Sequence, residues 1–287
     1  MHSSLFVKSI KTSVYTAFFL LLVVVPAHNQ EQKPAGILTY EEVAKIPHSF
    51  PYVIKLRAGK GALLYFGAQH KNDPKHPQNE QIQKLWKSFR PSIAFNEGGD
   101  PPTLKVAEEA ISRFGEAGLV RFLATRDNIP VRSLEPNREQ EVATLLKSYT
   151  PEQLKVFYAL RQIPAYRRGK NSETLDERVG FTLRWLSNVP GLEGTPHTLA
   201  ELGESSARLM QDLKDWREVP DSWFDPGYTR PPSYLNEVSR ASSRLRDEYM
   251  VDLLINEVKQ GKRVFAVVGG SHVVMQERAL RAVLKSK

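Results

Sequence analysis

Cysteine is absent from the 287-residue chain, and that absence removes a disulfide scaffold, a thiolate nucleophile and every cysteine-based metal site. Long apolar runs are also scarce. The one that stands out, "AFFLLLVVV" from Ala17 to Val25, is shorter than the ~20 residues a spanning helix needs. It follows Lys8 and Lys11 in a segment with no acid and precedes "VPA", so residues 1–27 read as an export signal cut after Ala27, with a periplasmic or secreted product that keeps no membrane span. The chain also lacks a basic patch interleaved with aromatics. Its formal charge of +8, or +6 without Lys8 and Lys11, is spread over 25% charged residues, which excludes a nucleic-acid signature and describes a soluble surface.

What remains, residues 28–287, suits one α/β domain. "YVIKL", "RAGKG" and "ALLYFG" predict a hairpin, and "LTYEEVAKI" opens on a capping box with Thr39 and Glu42. Helix and strand then alternate. "NEQIQKLWKSF" is amphipathic, "PSIAFNEGG" a short strand, "LKVAEEAISRFGEAGLVRFLATRD" helical, and "IPVRSLEP" a strand again, a pattern that predicts a mostly parallel central sheet covered by helices. From about 137 to 230 the strand signal disappears, which predicts a helical insertion that roofs or flanks the sheet; Thr150, Pro151 and Gln153 start one of its helices. A long helix ending at Gly261, the strand "VFAVVGG" and a closing helix complete the chain.

Two segments share an uncommon ending. "LLYFGAQH" stops at His70 and "VFAVVGGSH" at His272, each an apolar run leading into Gly-x-x-His, where chance gives about 0.4 such pairs. Both histidines are expected where a buried strand hands over to a loop. "IAFNE" ends at Glu97 and "VRSLE" at Glu135, so a parallel sheet would deliver four functional side chains to its carboxyl edge, where ligands bind in open α/β sheets. Glycines 67, 98, 99, 269 and 270 beside them let backbone turn or approach a ligand. Two imidazoles and a carboxylate, His70, Glu97 and His272, form a candidate divalent-metal site with open positions. Without metal, a histidine oriented by a carboxylate can take a proton from water. Asp73 and His76 are near enough in sequence to be secondary ligands. Arg246 shares a helix face with Ser242, Met250 and Leu253; an arginine on an apolar stripe needs a partner, or faces the crevice to bind an anion or an oxyanion.

In their order, "FGAQH", "AFNEGG" with Glu97 27 positions after His70, "LRDEYM" and "VVGGSH" resemble the superfamily that groups erythromycin esterases, ChaN haem-binding lipoproteins and TraB/Tiki proteins. The resemblance covers most of residues 60–280. It implies an α/β fold whose pocket is lined by His70, Glu97, Arg246 and His272, and one of three activities: metal-dependent peptidase, esterase using histidine and glutamate, or haem binder. The expectation is therefore an exported hydrolase of amide or ester bonds acting on a small molecule or peptide, with a divalent metal or directly activated water. The alternatives are a haem-binding protein with a histidine or tyrosine axial ligand, or a family member without catalysis.

Overall fold

A computed structural model describes residues 36–169, 171–227 and 233–286; the expected export signal lies outside them. Its centre is a sheet made from β1 (Tyr52–Ala58), β2 (Gly61–Ala68), β3 (Ile93–Asn96), β4 (Val131–Ser133), β5 (Arg263–Gly269) and β6 (Lys285–Ser286). The order is β4-β3-β5-β2-β1-β6. The first four of these are mutually parallel, whereas β1 returns antiparallel beside β2 and β6 pairs antiparallel with β1. The protein is thus α/β with a mostly parallel sheet.

Among the described residues ten α-helices complete it: α1 (Tyr40–Val43), α2 (Pro77–Phe89), α3 (Ala107–Arg126), α4 (Arg138–Leu145), α5 (Pro151–Leu160), α6 (Gln162–Arg168), α7 (Leu175–Leu186), α8 (Leu199–Leu209), α9 (Tyr234–Lys259) and α10 (Gly270–Val283). The predicted hairpin forms around Gly59 and Lys60, and both predicted capping boxes, Thr39 with Glu42 and Thr150 with Gln153, are made. Each Thr hydroxyl that accepts a first-turn N–H is worth about 1 kcal/mol.

The strand period of two sorts the core. Leu63 and Tyr65 of β2, with Val264, Ala266 and Val268 of β5, face α9 and α10. Leu64, Phe66, Phe265 and Val267 face the other way, against Ile82 and Trp86 of α2 and Leu119, Val120 and Leu123 of α3. Strands buried on both faces read as unbroken apolar runs, which is why "ALLYFGA" and "VFAVV" show no alternation.

The helices between 138 and 209 form a third core of their own, with Leu154, Phe157, Leu160, Leu183 and Leu202 at its centre. Leu235 and Val238 of α9 belong to this core, whereas Met250, Val251 and Leu254 of the same helix belong to the sheet. At 26 residues, about 39 Å, α9 is long enough to serve both layers. Its middle, around Arg246, lies where they meet.

Candidate functional site

Three of the four strand-end side chains lie just past a parallel strand: His70 two residues beyond β2, Glu97 one beyond β3, Glu135 two beyond β4. His272 departs from expectation in its setting. No loop follows β5; α10 begins at Gly270, and His272 sits in its first turn. The helix can start there because Gly269 and Gly270 leave room, and His272 is consequently buried rather than at the rim.

Glu97 is the hub. Its Oε1 accepts from Arg246 Nη2 at 2.9 Å and lies 3.3 Å from His272 Nε2. Its Oε2 accepts from the Gly269 N–H at 2.6 Å and lies 3.9 Å from His70 Nε2. Each imidazole is held from behind by a second carboxylate: His70 Nδ1 is 2.5 Å from Glu116 Oε1, and His272 Nδ1 is 2.7 Å from Asp247 Oδ1. Arg246 also pairs with Glu135, whose other oxygen accepts from the N–H groups of Gly98 (2.8 Å) and Gly99 (3.1 Å). Behind His272 the chain of bonds continues. Gln276 donates to Asp247 at 2.6 Å and accepts from the Tyr65 hydroxyl at 2.8 Å, all three residues being fully buried.

The two histidines are shifted in the same direction but differ in access. Burial opposes a charged His272, but its hydrogen bonds to Asp247 and Glu97 outweigh that and push its pKa up to about 10. Burial likewise opposes a charged Glu97, yet the His272 hydrogen bond, the charges of His272 and Arg246 and the Gly269 N–H together hold it well below the usual carboxylate range. His70 is raised chiefly by its bond to Glu116, against partial burial, and its side chain is 60% exposed. Its backbone is left-handed, φ 50°, a conformation uncommon outside glycine and frequent at functional positions.

Two cavities meet at Glu97 and Gly98. The smaller, about 280 Å³, is walled by His70, Glu116, Phe114 and Pro101. The larger, about 750 Å³, runs between Glu135, Arg138, Tyr158, Arg161, Trp185 and Arg246, beneath the helical layer. The site therefore gathers His70, Glu97, Arg246, His272 and Glu135. Asp73 and His76 are not among them: Asp73 accepts from the Lys75 N–H and His76 caps α2 by accepting from the Gln78 N–H.

Glu116 and Asp247 complete the site without having been singled out in the sequence. A common signal marks both. Each precedes buried apolar residues at i+3, i+4 and i+7: Leu119, Val120 and Leu123 after Glu116, and Met250, Val251 and Leu254 after Asp247. A carboxylate on the core-facing stripe of a helix demands a buried partner. In α3 a break at Gly115, φ 58°, precedes Glu116.

In this arrangement the candidate metal donors are engaged with one another and with Arg246. A ligating imidazole is neutral, whereas the hydrogen bonds to Asp247 and Glu97 favour the protonated form of His272, and Glu97 already accepts from the Arg246 guanidinium and the Gly269 N–H. Among the described residues no group of three or more His, Asp or Glu side chains is spaced to hold a metal ion. None of the described helices is long and apolar enough to cross a membrane. Comparisons with family models, with curated proteins and with solved structures found no match.

Proposed function

We propose that the protein is an exported hydrolase of ester or amide bonds in which His70 activates water directly. The observation that carries the reading is the pair of histidine–carboxylate dyads, His70–Glu116 and His272–Asp247, whose Nε2 atoms converge on Glu97. With Nδ1–H bound to Glu116, neutral His70 presents an Nε2 lone pair to the smaller cavity. That is the geometry of a general base fixed in one tautomer by its orienting carboxylate. Glu97 is too acidic to be an effective base near neutral pH, and His272 keeps its proton, so His70 suits the task best.

In the proposed reaction His70 Nε2 takes a proton from water as the oxygen attacks the carbonyl carbon. Arg246 and the His272 imidazolium supply positive charge beside the forming oxyanion. As the tetrahedral intermediate collapses, the C–O or C–N bond breaks and His70 returns its proton to the leaving alkoxide or amine. The resemblance to macrolide esterases and Tiki-type peptidases supports the same class. A haem-binding role finds less support: it needs an apolar slot and an uncommitted axial ligand, whereas Glu97, Glu135, Glu141 and three arginines line the larger cavity and each histidine is tied to a carboxylate.

The test is a screen of p-nitrophenyl esters and aminoacyl p-nitroanilides with the mature protein, His70→Gln and Glu97→Gln, each with and without chelator. Hydrolysis that survives chelator and falls about 100-fold or more in His70→Gln is the expected result. No turnover of either class, full activity in His70→Gln, or a visible absorption band on haemin titration that His70→Gln removes would overturn the reading. Activity lost together with a stoichiometric metal would replace direct activation by a metal mechanism.

A further inference from the structure

The larger cavity has a charge left over. Its carboxylates are each engaged: Glu97 and Glu135 by Arg246, Asp100 by Arg121 at 2.7 Å, and Glu141 by Arg138 at 2.6 Å and by the Ser242 hydroxyl at 2.5 Å. Arg161 lines the same cavity, and among the described residues no carboxylate pairs with it; its guanidinium lies 5.7 Å over the Phe157 ring. Arg246 lines the cavity as well, and its buried Nε makes no hydrogen bond. Burial and next to it the charge of Arg246 lower the Arg161 pKa, and Glu141 offsets this only in part, so the resting site holds positive charge at a cost. An anion entering the cavity relieves it.

We infer that Arg161 is a substrate-binding residue that holds a carboxylate of the substrate in the larger cavity while the scissile carbonyl lies near Glu97. A planar carboxylate matches the paired N–H donors of a guanidinium. With about 750 Å³, the cavity has room for an acyl chain between the two ends. Trp185, 45% exposed on the cavity's rim, offers that chain an apolar surface. The substrate class is then an ester or amide with a second, anionic end. The word substrate rests on the hydrolase reading; the anion site itself does not.

A matched pair of esters separates the two. The p-nitrophenyl monoester of adipic acid and p-nitrophenyl hexanoate have acyl chains of equal length and differ in the terminal carboxylate. Wild type is expected to favour the anionic ester in kcat/KM; in Arg161→Met the anionic-to-neutral ratio falls about tenfold or more, and Arg161→Lys restores part of it. Calorimetric titration with adipate reads the site without turnover: binding to wild type and to Glu97→Gln, and none to Arg161→Met, is the expected pattern. An unchanged ester ratio, or adipate binding that Arg161→Met and Arg161→Lys leave intact, overturns the inference. Failure of wild type to cleave either ester sinks the hydrolase reading alone, and the adipate titration then decides the anion site.

Discussion

Replacing His272 by Gln tests the buried charge network through stability. The imidazole titrates at about 10 in the folded protein against an ordinary 6.5, so between those pH values the folded state binds one proton more than the unfolded chain. Stability from this group is fully present below pH 6.5 and is lost as pH rises through about 10. The slope is about 1.4 kcal/mol per pH unit, which over the whole interval amounts to at most about 5 kcal/mol. That is a large share of the 5–15 kcal/mol typical of folded domains. Glu97, on the other side of the same ion pair, contributes in the opposite sense: its share is lost only in strong acid, as pH falls through its depressed folded pKa, and so lies outside this window. The assay is urea unfolding of wild type and His272→Gln across the interval, comparing the pH dependence rather than the absolute stability, since the variant also leaves Asp247 buried without its cation. Wild type should lose stability steadily towards pH 10, and the difference between the two proteins should shrink over the same range. Parallel profiles would mean that His272 does not hold the proton, and the network would have to be redrawn with a neutral imidazole. Asp247→Asn gives the complementary check: removing one of the two carboxylates lowers the His272 pKa and narrows the window from its alkaline side.

Glu116→Gln keeps the shape of the orienting side chain and removes its charge. His70 then titrates lower, so the acid limb of kcat/KM against pH, where protonation removes the base, should move to lower pH, while the plateau drops about tenfold to a hundredfold from lost orientation; an unmoved limb would show that His70 is not the titrating base. Gly269→Ala tests space rather than charge. The backbone there, φ −56°, accepts any residue, but a Cβ would lie 2.4 Å from His70 Nε2 and 3.3 Å from Glu97 Oε2. Turnover should fall about 100-fold, a loss of geometry near the reacting atoms, with the thermal midpoint little changed; an active Gly269→Ala would place the chemistry away from His70.

The sheet was legible because the apolar runs ending at Ala68 and Gly269 are buried on both faces, and because alternation with amphipathic helices leaves few other packings. The helical layer was legible from the loss of strand signal after Asn137. The site was legible at strand ends, where His70, Glu97 and Glu135 fall beyond β2, β3 and β4. It was less legible on helices. Whether Arg246 meets a carboxylate or open cavity depends on how α9 rotates against the sheet, and period alone does not fix that rotation. Asp247 sits one residue from Arg246, which the sequence did single out, whereas nothing in the sequence reading pointed to Glu116 or to the break before it, and their neighbours' burial marks both only once the apolar stripe is followed onward to i+7. The start of α10 was misplaced for a local reason: "GGSH" carries turn-forming residues, and only the close fit of Gly270 against the Phe50 ring shows why small residues open a helix there.

Arg246 and Asp247 are consecutive on α9, yet one fixes Glu97 from the cavity and the other fixes His272 from beneath. The spacing between the hub carboxylate and the imidazolium is therefore gauged against a single rigid rod, whose far end is anchored by Leu235 and Val238 among the helices of the upper layer. A tilt of that rod shifts both charges in concert, so alterations in the roof can retune the electrostatics of the crevice while every residue in contact with the reacting atoms stays the same.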